Sequence, residues 1–175
     1  MQKPHVVNLE HLIEGTAEQL EFFERAVVLL AQASDAELIE HAKGYLAGRT
    51  DSVGAQLMQH THRLHPIRYL EYLESNTAED LEEFVVAVRR QARFMRNMLH
   101  EKAAGLCTEA SIKSAVDEYH RFLASLRGCD DGVEPPSALV DLVWHTHMQD
   151  AERYRSDCLA IVGRLVDHDD EIGDA

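Results

Sequence analysis

A ten-residue motif occurs twice in this chain of 175 residues, and it constrains the fold more than any other feature. The copies read HTHRLHPIRY at 60–69 and HTHMQDAERY at 145–154, and five of their ten positions are identical. Such similarity at a fixed offset indicates an internal duplication. The sequence therefore predicts two related halves, residues 16–75 and 77–167, followed by an acidic tail at 168–175.

Helix signals run through both halves. Hydroxyl side chains precede apolar stretches of helical periodicity, and at Ser34 a glutamate three residues later completes a capping box. No segment alternates with the period of a strand. We predict one compact all-α domain over residues 1–175, with about eight helices in two four-helix halves related by an approximate twofold axis. The predicted helices start at Thr16, Ser34, near Asp51, Pro66, Thr77, Thr108, Ser137 and about Ala151, the last ending near Val166.

Composition narrows the classes of partner and location. Asp and Glu number 31 against 17 Lys and Arg, and the formal charge of −14 repels nucleic-acid phosphates, so we expect no nucleic-acid partner. The three cysteines form no C-x-x-C pair, which favours a reducing, cytoplasmic location. No apolar run approaches membrane length, so we expect no membrane association. The oligomeric state stays open.

The second copy of the motif carries the richer set of polar side chains. Asp141 precedes His145 by four residues, so a helix would place both on one face. His147 joins them only if the helix ends soon afterwards and the turn redirects it. Tyr154 and Asp157 follow on the next predicted helix. We therefore predict these five residues as the candidate catalytic set.

Imidazole and carboxylate groups are ligands for zinc, iron and manganese. The first copy of the motif retains His60 and His62, which would reach the site from the other half. The predicted ligands of a divalent metal are thus His145, His147, Asp141, His60 and His62. The remaining histidines share no spacing and are expected to be surface or half-buried residues: His5, His11, His41, His100, His120 and His168.

Two functions are compatible with this pattern. One is a small cytoplasmic enzyme, assisted by a metal or relying on acid–base groups alone, that acts on a small molecule in a pocket between the two repeats. The alternative is a non-catalytic helical module that binds a protein partner. In the alternative, hydrogen-bonded histidine motifs lock the helix junctions.

The segment from Pro135 to Cys158 resembles the glycine-rich domain-containing protein-like family. Its members carry a pattern similar to P-P-x-x-x-x-D-x-x-W-H-x-H-x-x-x-P-x-x-Y-x-x-D-C, and Ala151 stands where they usually have proline. The resemblance covers about 116–170, and 60–69 matches more loosely. The resemblance implies that the chain has the helical module of the family but not its glycine-rich tail. No activity is established for that module. Plant members are long proteins linked to development and stress responses, and RNA binding has been suggested for some. The matching positions are Pro135, Pro136, Asp141, Trp144, His145, His147, Tyr154, Asp157 and Cys158.

Overall fold

The computed structural model describes residues 7–64, 77–129 and 133–168. Within these ranges the chain forms seven α-helices and no β-strand, which confirms the predicted all-α class. The predicted helix at 66–75 lies outside the described residues, so the eight-helix arrangement and its twofold axis stay predictions. The helices are α1 (His11–Gln32), α2 (Asp35–Leu46), α3 (Val53–Arg63), α4 (Ala78–Ala103), α5 (Glu109–Ser125), α6 (Ala138–Met148) and α7 (Ala151–Ile161).

Local sequence signals start most of these helices. The capping box before α2 is confirmed: the Glu37 amide donates to Ser34 Oγ, and the Ser34 amide donates to Glu37 Oε2 at 2.8 Å. The predicted caps Thr108 and Ser137 also accept from backbone amides, each three residues ahead. The helix predicted near Asp51 is capped by Ser52. These starts depend only on side chains within the first turn, so the sequence alone specifies them.

The start of α1 differs from its prediction. The helix begins at His11, five residues before Thr16, after a turn in which the Leu12 amide donates to the Leu9 carbonyl. Thr16 is fully buried inside the helix, and its hydroxyl lies 3.3 Å from that of Thr146. The prediction that Thr16 caps the helix was therefore wrong, because its hydroxyl contacts Thr146 inside the fold.

The end of α7 also differs. The helix stops at Ile161, before the predicted Val166, and Gly163 follows with φ of 92°. Glycine adopts this left-handed conformation without a Cβ penalty, which suits the position after a helix end. The Arg127 guanidinium donates to the last carbonyls, including that of Ile161 at 2.7 Å. The residues that follow α7 therefore leave the helix axis.

The helices fall into two compact units. The first comprises residues 1–18 and 104–175, and in its described part α5, α6 and α7 pack against one another together with the beginning of α1. Apolar and aromatic side chains on the facing sides of these helices form its core. Its fully buried residues include Tyr119, Leu123, Leu142, Val143, Tyr154 and Cys158.

The second unit comprises residues 19–103. It contains the remainder of α1 together with α2, α3 and α4, and the last three helices pack against one another. The second half predicted from the sequence includes α4, yet α4 packs against α2 and α3, and its Lys102 pairs with Glu24 of α1. None of the helices in the described parts of the chain combines the length and apolar composition that crossing a lipid bilayer requires. The core of this unit includes Phe23, Leu38, Leu57, Met58, Phe84 and Met95.

Candidate metal site

Helix α6 positions the first two side chains of the candidate site. Ser137 caps the helix, which then runs without interruption to Met148. Asp141 and His145 lie one turn apart, with His145 Nε2 3.5 Å from Asp141 Oδ1. This is the shared face that their four-residue spacing predicts. His145 is buried, whereas the Asp141 side chain keeps 19% of its surface exposed.

A third side chain comes from the segment after α7. His168 Nε2 lies 2.9 Å from the same Asp141 Oδ1, and its ring meets the His145 ring edge to face, with centroids 4.7 Å apart. His168 is buried, so the expectation of a surface or half-buried residue was wrong for it. No spacing rule links it to the helical pair, because its position depends on the path of the chain after α7.

The geometry of Asp141, His145 and His168 suits a metal ion. One potential ligand atom from each lies within 4.8 Å of the other two. Tetrahedral zinc with bonds of about 2.0–2.1 Å separates neighbouring ligand atoms by roughly 3.3 Å. The 2.9 Å and 3.5 Å separations from Asp141 Oδ1 lie on either side of that value. The donor set of two imidazoles and one carboxylate is one that zinc and iron(II) sites use.

His147 has different partners. Its Nε2 lies 3.1 Å from Asp157 Oδ2, and its Nδ1 lies 2.9 Å from the Tyr119 hydroxyl. The helix continues past His147, so a residue two positions after His145 points to another face. The predicted set is thus divided, with Asp141 and His145 in the metal-compatible group and His147 paired with Asp157.

The surroundings of His147 determine its charge and which of its ring nitrogens carries a proton. Burial lowers the pKa of His147 to about 3, so the ring is neutral at pH 7. A carboxylate only accepts hydrogen bonds, so Nε2 carries the proton and donates to Asp157. Burial raises the pKa of Tyr119 well above its ordinary value, and the protonated phenol donates to Nδ1. Both ring nitrogens of His147 are therefore engaged in internal hydrogen bonds.

Tyr154 links α6, α7 and the segment that carries His168. Its hydroxyl donates to the Val166 carbonyl at 2.7 Å and accepts from Trp144 Nε1 at 3.0 Å. The side chain is 1% exposed, and burial raises the pKa of Tyr154 well above its ordinary value. The phenol is therefore protonated at neutral pH, and the proton-handling role predicted for it stays a prediction.

The first copy of the motif lies in the second unit and has partners there. His60 Nδ1 lies 3.0 Å from Gln19 Nε2, and His62 Nδ1 lies 3.0 Å from the Tyr45 hydroxyl. The bond from a tyrosine on the preceding helix to the second histidine parallels that between Tyr119 and His147. The predicted contribution of His60 and His62 to a metal site stays a prediction.

These observations define the class of the protein as an all-α module in which two buried histidines adjoin one partly exposed aspartate. The model of the glycine-rich domain-containing protein-like family matches residues 71–157, and over this segment, just under half of its length, the chain is similar to that family. The match includes Asp141 and His145 and ends before His168.

Among curated proteins, Glycine-rich domain-containing protein 2 of Arabidopsis thaliana is 31% identical over 106 residues. The alignment covers 58% of this chain but 13% of that relative, so this chain spans a small part of the longer protein. No solved structure matches the chain.

Proposed function

We propose that the first unit binds one divalent transition-metal ion through Asp141, His145 and His168, and that the ion assists chemistry on a small molecule. The observation that carries the proposal is the approach of two buried imidazole Nε2 atoms to one carboxylate oxygen. All three ligand atoms belong to this unit, so the proposed site differs from the pocket between the repeats that sequence analysis predicts.

The chemistry of the donor set supports this function. Imidazole nitrogen and carboxylate oxygen are ligand atoms for zinc and iron, and both imidazoles are buried beside the one carboxylate. Three protein ligands are also the number found in catalytic zinc sites, which leave a coordination position for another molecule. An ion held there would act as a Lewis acid on an oxygen-containing group. The partly exposed Asp141 carboxylate marks the side of the cluster that faces solvent.

The alternative, in which the histidine motifs lock helix junctions, is supported by a different residue. His147 is fully buried and its ring contacts both Tyr119 and Asp157 by hydrogen bonds. We therefore propose that the two histidines of the second motif have different roles, with His145 binding metal and His147 stabilising the junction of α5, α6 and α7.

The proposal is tested with protein purified without a metal-affinity tag, stripped with a chelator, and titrated separately with Zn²⁺, Mn²⁺ and, under anaerobic conditions, Fe²⁺. Calorimetry and elemental analysis should give one ion per chain for at least one metal, and His145→Ala should abolish that binding. His62→Ala is the matched control, because it removes the second histidine of the other motif, and it should bind as the wild type does. Absence of stoichiometric metal, or unchanged binding by His145→Ala, would refute the proposed function.

A further inference from the structure

We infer that Tyr154 is a positioning residue for the metal site: its hydroxyl holds the segment after α7 so that His168 reaches Asp141. This inference rests on the proposed function, because it concerns the affinity of that same site. The inferred role is distinct from proton transfer, since the tyrosine acts on the metal only through the ligand His168.

The hydroxyl lies where three parts of the unit meet. Tyr154 belongs to α7, and its hydroxyl donates to the carbonyl of Val166, two residues before His168 in the chain. The same oxygen accepts from the indole of Trp144, which is adjacent to His145 in α6. In a buried environment such hydrogen bonds are stronger than in water. One hydroxyl thus connects the helix that carries two ligands to the segment that carries the third.

The ring of His168 is in turn oriented by its surroundings. The Trp144 indole meets it edge to face, with centroids 4.7 Å apart, and His145 meets it at the same distance. Because consecutive Cα atoms are about 3.8 Å apart, fixing the Val166 carbonyl confines His168 to a small volume. The Val166 side chain is also buried, which anchors the segment on the same side of the unit.

Removing only the hydroxyl should therefore weaken metal binding without removing a ligand. In Tyr154→Phe the ring still fills the core, but the Val166 carbonyl loses its donor and the segment gains freedom. Metal binding must then restrain that segment, and the cost appears as lower affinity. Changes to groups that orient metal ligands typically reduce affinity roughly 10- to 100-fold, and we expect a loss in this range.

Zn²⁺ affinity is measured on the whole chain by competition with a chromophoric chelator, and the visible spectrum of bound Co²⁺ reports the ligand set. Tyr154→Phe should bind Zn²⁺ roughly 10- to 100-fold more weakly, yet give the wild-type Co²⁺ spectrum at saturation, because all three ligands remain. Tyr119→Phe is the matched control: this tyrosine is equally buried, but its hydroxyl bonds to His147. It should retain wild-type Zn²⁺ affinity.

A double-mutant cycle shows whether Tyr154 acts through His168. His168→Gln should weaken Zn²⁺ binding and alter the Co²⁺ spectrum, and adding Tyr154→Phe to it should cause little further loss. Wild-type affinity in Tyr154→Phe, equal losses in Tyr154→Phe and Tyr119→Phe, or additive losses in the cycle would each overturn the inference while leaving the proposed function intact. Failure of the wild type to bind any of the metals would overturn the proposed function itself.

Discussion

Asp141 Oδ1 and His168 Nε2 lie 2.9 Å apart although 27 residues separate them in the chain. The contact joins the first turn of α6 to the segment that follows α7, and it adds a second imidazole to the carboxylate that His145 already approaches. Helix α6 alone brings Asp141 and His145 together. The segment after α7 runs back to α6 and adds His168 as the third residue of the cluster.

The Asp141 carboxylate should be required for metal binding. Asp141→Asn preserves size but removes the charge, so we expect at least a roughly tenfold loss of Zn²⁺ affinity by calorimetry. Asp157→Asn is the control, because that carboxylate pairs with His147. Equal losses in the two variants would show that the negative charge of the protein, and not a ligand at Asp141, determines the Zn²⁺ affinity.

His147 should contribute to stability and not to metal binding. His147→Ala removes the hydrogen-bond partner of both Tyr119 and Asp157. Stranding the fully buried Tyr119 hydroxyl is expected to cost roughly 1 to 3 kcal/mol in the free energy of unfolding, measured by urea denaturation of the metal-free protein, whereas the partly exposed Asp157 can bond to water. Wild-type stability combined with lost metal binding would reverse the roles that we propose for His145 and His147.

Cys158 should resist thiol reagents in the native protein. It is fully buried, and burial raises the pKa of the Cys158 thiol, so both access and thiolate formation are suppressed. Exposed Cys129 should react quickly, whereas Cys158 should react only after denaturation. Labelling followed by mass spectrometry identifies the modified residue, and Cys158→Ser should leave the native labelling unchanged. Rapid native modification of Cys158 would contradict its burial.

Two helical glycines should respond in opposite ways to alanine. A Cβ at Gly54 in α3 would overlap the His41 ring, so Gly54→Ala should lower the free energy of unfolding by about 1 to 3 kcal/mol. A Cβ at Gly44 in α2 would lie 3.6 Å from Arg49 Nε, an ordinary contact. Gly44→Ala should therefore raise the free energy of unfolding by about 0.5 to 1 kcal/mol, because alanine has a higher helix propensity than glycine. Denaturant unfolding of both variants checks the two signs, and destabilisation by Gly44→Ala would contradict the stabilisation expected there.

Binding to nucleic acid should be negligible at physiological salt. The net charge of −14 opposes the phosphate backbone, so random-sequence DNA and RNA should show no micromolar binding in fluorescence anisotropy. The informative comparison is a salt series on the metal-free protein. Micromolar affinity that decreases steeply with salt would reveal a basic surface that the total charge conceals.

Short-range interactions explain what the sequence determined by itself. The caps at Ser34, Thr108 and Ser137 depend on amides three residues away, and the pairing of Asp141 with His145 depends on one helical turn. Hydrogen bonding and helix periodicity fix such relationships wherever a helix forms. The all-α class and most helix starts were therefore predictable before any tertiary contact was known.

The tertiary structure alone decided which side chains meet across the chain. His168 joins the cluster because the chain leaves α7 at Gly163 and returns to α6, and no local rule encodes that return. Likewise, His147 pairs with Asp157 because a continuous α6 points it away from His145, towards α5 and α7. Side-chain spacing specifies a helix face, but only the packing of several segments specifies what that face contacts.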